Sequence, residues 1–120
     1  MAERPATADI TPKQAAELIA DDDAQLVDVR EPYEWEAGRI PGARHIEVGR
    51  IPTEAESLDR DRPVVFQCRT GSRSAMVVAA FRKAGYEAYN LDGGLLAWVE
   101  DGLDIEPEDG TVVNSRPDAS

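Results

Sequence analysis

One cysteine and one histidine are all this chain has of the residues that most often crosslink proteins or hold zinc. A single cysteine, Cys68, cannot close an internal disulfide, and a single histidine, His45, leaves no zinc-type ligand set. No metal site is expected. Long apolar runs are missing too. No stretch approaches membrane length, and Met1-Ala2-Glu3-Arg4-Pro5 lacks the apolar core of a secretory leader. The expectation is a soluble, cytoplasmic protein, a location that also suits a lone free thiol. Basic residues are scarce: 13 Lys and Arg stand against 24 Asp and Glu, a formal net charge of −11. Nucleic-acid binding needs a basic footprint, so this balance argues against it.

One absence is local. From Pro63 to Ala80 there is no acidic residue, while Arg69 and Arg73 flank Gly71. A buried strand and helix account for few charges, but not for two arginines in the loop between them.

At 120 residues the chain is expected to be one domain, burying roughly 65% of its unfolded surface. Residues 1–10 read as a flexible N-terminal segment and 103–120 as an acidic, weakly ordered tail broken by Pro107 and Gly110. Between them helix and strand signals alternate. Thr11-Pro12-Lys13-Gln14 is a capping box with proline at the first helical position, followed by the apolar stripe Ala15, Ala16, Leu18, Ile19. Leu26 to Val29 reads as a buried strand, Glu31-Pro32 opens a short helix closed by Gly38, and Arg44 to Ile46 is extended. Thr53 to Glu56 is a second capping box, heading a helix near Leu58. Val64 to Gln67 is the clearest strand. The next helix carries Met76, Val77 and Phe81 as core by spacing, with Gly85 at its end. Glu87 to Leu91 is a strand and Gly93 to Val99 a helix. Such alternation predicts an α/β domain of three α/β/α layers around a central, mostly parallel sheet. Ligands bind such sheets beyond the carboxyl ends of the strands. Cys68 and Arg30 both follow strand ends.

Cys68-Arg69-Thr70-Gly71-Ser72-Arg73 therefore lies between a strand end and a helix start. Free backbone N–H groups there stabilise negative charge, and together with nearby cations they lower a thiol's pKa. A lone cysteine is ordinarily a small buried hydrophobe. At the last position of a strand, beside a loop of Gly, Ser and Arg, it reads as a nucleophile. His45 reads as a structural or surface residue rather than its base.

Three segments resemble the rhodanese-like sulfurtransferases, specifically the single-domain type. They are Leu26 to Trp35 continuing through Gly38-Arg39-Ile40-Pro41-Gly42-Ala43, the loop Cys68 to Ser74, and Asn90 to Trp98. The resemblance runs from about Thr11 to about Gly102, giving a domain over residues 11–102. It implies that Cys68 takes a sulfane sulfur from a donor such as thiosulfate, becomes a persulfide, and passes the sulfur to a thiophilic acceptor, cyanide in vitro. It implies no cofactor. The loop amides of Arg69, Thr70, Gly71, Ser72, Arg73 and Ser74 are expected to cradle the sulfur. The side chains of Arg30, Arg69 and Arg73 are expected to bind a small anionic donor, with Asp28 as structural support and Gly93, Gly94 and Trp98 as scaffold. Arg39 stands where many members have histidine, and Thr70 where thiosulfate-preferring members often have lysine; mercaptopyruvate-using members carry a different loop. Related phosphatases place five residues between cysteine and arginine. Four separate Cys68 from Arg73, a loop that fits a sulfur atom better than a phosphate. The other reading is a sulfur carrier or interaction module loaded by a partner protein. In either case a monomer or weak dimer is expected.

Overall fold

The computed structural model describes residues 4–114. Five short strands, β1 (Asp9–Ile10), β2 (Gln25–Asp28), β3 (Arg44–His45), β4 (Val64–Gln67) and β5 (Ala88–Leu91), form one sheet in the order β1-β5-β4-β2-β3. Every pairing is parallel. All carboxyl ends therefore share one edge, and the chain leaving β4 at Cys68 emerges between the ends of β2 and β5.

Strand alternation divides the interior into two cores. Val27, Val29, Phe66, Cys68 and Ala88 face α4 (Ser72–Lys83) and α3 (Ile51–Glu54) through Val77, Val78, Phe81 and Ile51. Leu26, Val65, Tyr89 and Leu91 face α1 (Pro12–Asp21) and α5 (Gly94–Glu100) through Ala15, Leu18, Leu95 and Trp98. Helices thus cover both faces of a parallel sheet. The Thr11 capping box forms in full, with Gln14 N donating to Thr11 Oγ1 across 3.1 Å and Thr11 N to Gln14 Oε1 across 2.9 Å. Helix α2 spans Pro32–Ala37.

Several local expectations differ. Thr53 caps nothing: it lies inside α3, because the helix opens at Ile51 with Pro52 in its first turn, between 3-10 turns at Val48–Arg50 and Ala55–Ser57. Met76 is not core but 78% exposed. The buried stripe of α4 is Ser74, Val77, Val78 and Phe81. The described parts of both tails are held. Strand β1 pairs with β5, Ala8 O accepts from Asn90 N at 2.7 Å, and Arg4 pairs with Glu87. After Gly102, Leu103, Ile105 and Val112 pack on the second core, Glu106 bridges Arg39, and Thr111 N donates to Ala37 O at 2.7 Å. Scattered apolar residues, without periodicity, fix this strap. The outermost tail residues, 1–3 and 115–120, lie outside the described residues.

Candidate active site

Cys68 follows β4 directly, and α4 begins at Ser72. Between them Gly71 takes the left-handed conformation, φ 102°, at the helix N-cap. A Cβ there would press on the Leu91 carbonyl at 3.3 Å, so the turn needs glycine. The turn brings the loop's N–H groups onto the sulfur. Gly71 N donates to Cys68 Sγ across 3.1 Å and Ser74 Oγ lies 3.4 Å from it. Cys68 is fully buried. Burial pushes the thiol up. The hydrogen bonds of Ser74 Oγ and of the backbone N–H groups of Ser74, Gly71 and Thr70 outweigh it and hold the thiol below its ordinary value.

Two neighbouring elements lock this loop. Asn90 on β5 places Oδ1 2.5 Å from Ser74 Oγ, while its Nδ2 donates to Gly71 O at 3.1 Å and to Asp9 Oδ1 at 3.0 Å. A hydroxyl has one proton, so Cys68 Sγ and Asn90 Oδ1 compete for it. Asn90 has no role in the sequence reading. Its signal is an asparagine inside a buried strand, where that residue is disfavoured. From the other side, Leu95 N donates to Cys68 O at 2.8 Å and Leu96 N to Arg69 O at 3.1 Å. This contact needs Gly94, whose Cβ would run into the Cys68 and Arg69 carbonyls.

The three arginines singled out in the sequence take different places. Arg73 forms a two-pronged pair with buried Glu34, Nη1 to Oε1 at 2.7 Å and Nη2 to Oε2 at 2.9 Å. Burial alone would raise the Glu34 carboxyl, but the Arg73 hydrogen bonds and charge outweigh it and hold Glu34 low. In return the Glu34 bond raises the Arg73 guanidinium, with the Cys68 thiolate adding to the effect. Arg69 turns away to the strap, donating to Val113 O at 3.2 Å and Asn114 Oδ1 at 2.8 Å. Arg30 is fully buried and folds onto Asp28, with Nη2 to Oδ2 at 2.7 Å and Nη2 to Gly38 O at 2.7 Å. Asp28 alternates with Val27 and Val29, which face the Cys68 core, so this pair lies on the opposite face of the sheet. The backbone of Arg30 reaches the edge where Cys68 emerges; its guanidinium is tied to Asp28 and Gly38 O, and its charge helps hold Glu34 low. Thr70 and Ser72 are exposed on the rim of the loop.

Known proteins share the sequence and the fold of this chain. Residues 11–101 match the model of the rhodanese-like domain. The chain belongs to the rhodanese-like family. A sulfurtransferase of Allochromatium vinosum is 36% identical over 104 residues, spanning 85% of this chain and 97% of that one. The thiosulfate sulfurtransferase GlpE of Pseudomonas aeruginosa (strain LESB58) is 37% identical over 90 residues, 74% of this chain and 81% of the relative. Among solved structures, a rhodanese-related protein of Thermoplasma volcanium superposes with a TM-score of 0.76 at 27% identity, over 82% of this chain and 97% of that one. Sulfur transfer is thus the activity of the family, and the fold is the rhodanese fold.

Within this rhodanese-like domain, Arg39 lies 5.1 Å over the Trp35 ring and donates to Trp35 O at 3.2 Å. Trp35 stacks on His45 at 4.9 Å, and His45 Nε2 sits 2.6 Å from Arg30 O. His45 therefore braces the β2 end. Trp98 fills the second core and donates to Asp104 O at 2.8 Å. Among the described residues no helix is long and apolar enough to cross a membrane. Beside the loop, between α4 and the segment from Glu47 to Pro52, lies a cleft of about 560 Å³ that reaches Arg73.

Proposed function

We propose that this protein moves a sulfane sulfur from thiosulfate to a thiophilic acceptor through a persulfide on Cys68. The observation that carries this reading is the ring of donors closed around Cys68 Sγ, with Gly71 N at 3.1 Å. The Cys68 thiolate attacks the sulfane sulfur of thiosulfate. The S–S bond of the donor breaks and sulfite leaves with the electron pair, so Cys68 keeps an anionic outer sulfur. The N–H groups of Thr70, Gly71 and Ser74 that hold Sγ are the ones positioned to hold that added charge. Cyanide in vitro then takes the outer sulfur as thiocyanate, and the electron pair returns to the Cys68 thiolate. With four residues between Cys68 and Arg73, the loop suits one sulfur rather than a tetrahedral oxyanion.

In this reading Arg73 supplies the charge at the mouth of the site, and Arg69 secures the loop to the strap. Arg30 and Asp28 brace the sheet from behind, and Thr70 and Ser72 form the rim. The likeness to the thiosulfate sulfurtransferase of Pseudomonas aeruginosa supports thiosulfate as donor. A working free thiol suits a reducing, cytoplasmic location.

Intact-mass measurement after incubation with thiosulfate tests the reading. The wild type should gain one sulfur atom and Cys68→Ser none, and thiosulfate should outrun mercaptopyruvate in steady-state turnover to thiocyanate. No sulfur on the wild type, or equal gain on Cys68→Ser, overturns it.

A further inference from the structure

The cleft beside the loop is far larger than a small inorganic donor requires. Its volume of about 560 Å³ falls within the roughly 300–1,000 Å³ typical of sites for small organic molecules. Its walls include Val29 from the end of β2, Val48 and Ile51 from the segment before and within α3, and Met76, Val77 and Phe81 from α4. Four of these, Val29, Ile51, Val77 and Phe81, belong to the same core as Cys68, and Arg73 of the Cys68 loop stands on the cleft, so the cleft lies beside the loop. The lips are apolar as well. Among the described residues three large hydrophobic side chains are exposed. Two of them, Met76 at 78% and Val48 at 43%, stand on this cleft. Two exposed apolar side chains over an apolar floor, with a few polar groups converging on it, make this concavity a candidate binding site.

The polar groups of the cleft limit what it takes. Arg73 closes the end nearest the loop, already engaged by Glu34, while Glu31 and Glu47 stand on the walls. Glu31 Oε2 is shielded from solvent without a hydrogen-bond partner. A carboxylated ligand would meet two negative charges and an arginine already paired. A neutral body avoids that repulsion, and one carrying an ammonium or N–H group would complete Glu31.

Resting on the sulfurtransfer reading, we propose that the cleft binds the organic body of the sulfur acceptor. That acceptor is a small thiol with an apolar body, uncharged or bearing an amine. Its thiol loses a proton to solvent, and the thiolate attacks the outer sulfur of the Cys68 persulfide. A new S–S bond forms in the acceptor, the S–S bond to Cys68 breaks, and its electron pair restores the Cys68 thiolate. The product is an organic persulfide.

The test uses the full chain loaded with thiosulfate and follows loss of the added sulfur by intact mass. Benzyl mercaptan, 2-mercaptoethanol and 4-(mercaptomethyl)benzoate are compared, with cyanide as the acceptor that needs no cleft. Benzyl mercaptan should discharge the persulfide at saturable rates, at least about tenfold faster at low concentration than either of the others. In Met76→Glu the ratio of the benzyl mercaptan rate to the cyanide rate should fall about tenfold. Equal rates for the three thiols, or an unchanged ratio in Met76→Glu, overturn the proposal. If thiosulfate loads no sulfur, the sulfurtransfer reading falls, and binding still decides the cleft. Benzyl methyl sulfide cannot accept sulfur, but it should shift the Met76 methyl resonance of the unloaded protein saturably. No shift overturns the assignment. So does a dimer in sedimentation that Met76→Glu dissociates, since the lips would then face a second copy.

Discussion

A buried thiol ordinarily keeps its proton, so Cys68 depends on having more donors than burial costs it. Ser74 Oγ leads the groups that favour its thiolate, and it is the one member of the ring that can be removed without touching the backbone. Ser74→Ala should therefore raise the Cys68 pKa. Alkylation rate against pH is the measurement: the wild-type midpoint should fall below the ordinary value of about 8.5, and the variant's should move up toward it. An unmoved midpoint would leave the N–H groups as the whole cause. Backbone amides facing the sulfur were legible because they are local in sequence; the Ser74 hydroxyl that leads them was not. Nor were the residues that set the loop's surroundings. Glu34 reaches Arg73 across 39 positions, Asn90 reaches Ser74 across 16, and Asn114 reaches Arg69 across 45. Spacing alone also misplaced Met76. Met76, Ala80 and Ala84 repeat at helical intervals, but so do Ser74, Val77, Val78 and Phe81. Turning Ser74 toward Cys68 selects the second set and rotates Met76 outward.

At the scale of elements, the loop is gripped by the N-terminus of α5, and that grip depends on one hydrogen atom. Gly94 has φ 61° and no room for a Cβ against the Cys68 and Arg69 carbonyls. Gly102 has φ 79° with nothing within 4 Å of its would-be Cβ. The pair separates backbone strain from collision. Gly102→Ala should cost about 1 kcal/mol, the conformational penalty alone. Gly94→Ala should cost at least about 2 kcal/mol more, because the helix must also withdraw from the loop. Urea unfolding of both variants gives the comparison. Equal losses would mean that α5 yields freely and does not hold the Cys68 loop. The helices and central strands were readable because they carry periodicity and caps, as at Thr11. The edge strand β1 is two residues long and has no period to read, and the strap from Leu103 to Asn114 is held by single contacts across the sheet's rim. The Thr53 box had the right letters, but Pro52 had already opened the helix.

For the whole molecule the decisive quantity is charge. Two cores flank β4, and the surface around them carries a net charge of −11. Two ion pairs at the carboxyl edge of the sheet are sheltered: Arg30–Asp28 is fully buried and Glu34 is buried beneath Arg73. Added salt will barely reach them. Exposed pairs such as Arg50–Glu54 and Arg62–Asp23 are each worth about 0–1 kcal/mol, so screening them removes little. The general repulsion is different. The molecule measures 33 × 30 × 21 Å. At about 0.01 M salt the screening length is roughly 30 Å, so each excess carboxylate feels the rest of the surface, while at about 0.1 M it shrinks to about 10 Å. Raising sodium chloride from about 0.01 to about 0.15 M should therefore raise the thermal midpoint measured by calorimetry. A fall would mean that the exposed ion pairs outweigh the eleven unbalanced negative charges, and that the acids are placed more favourably than their number suggests.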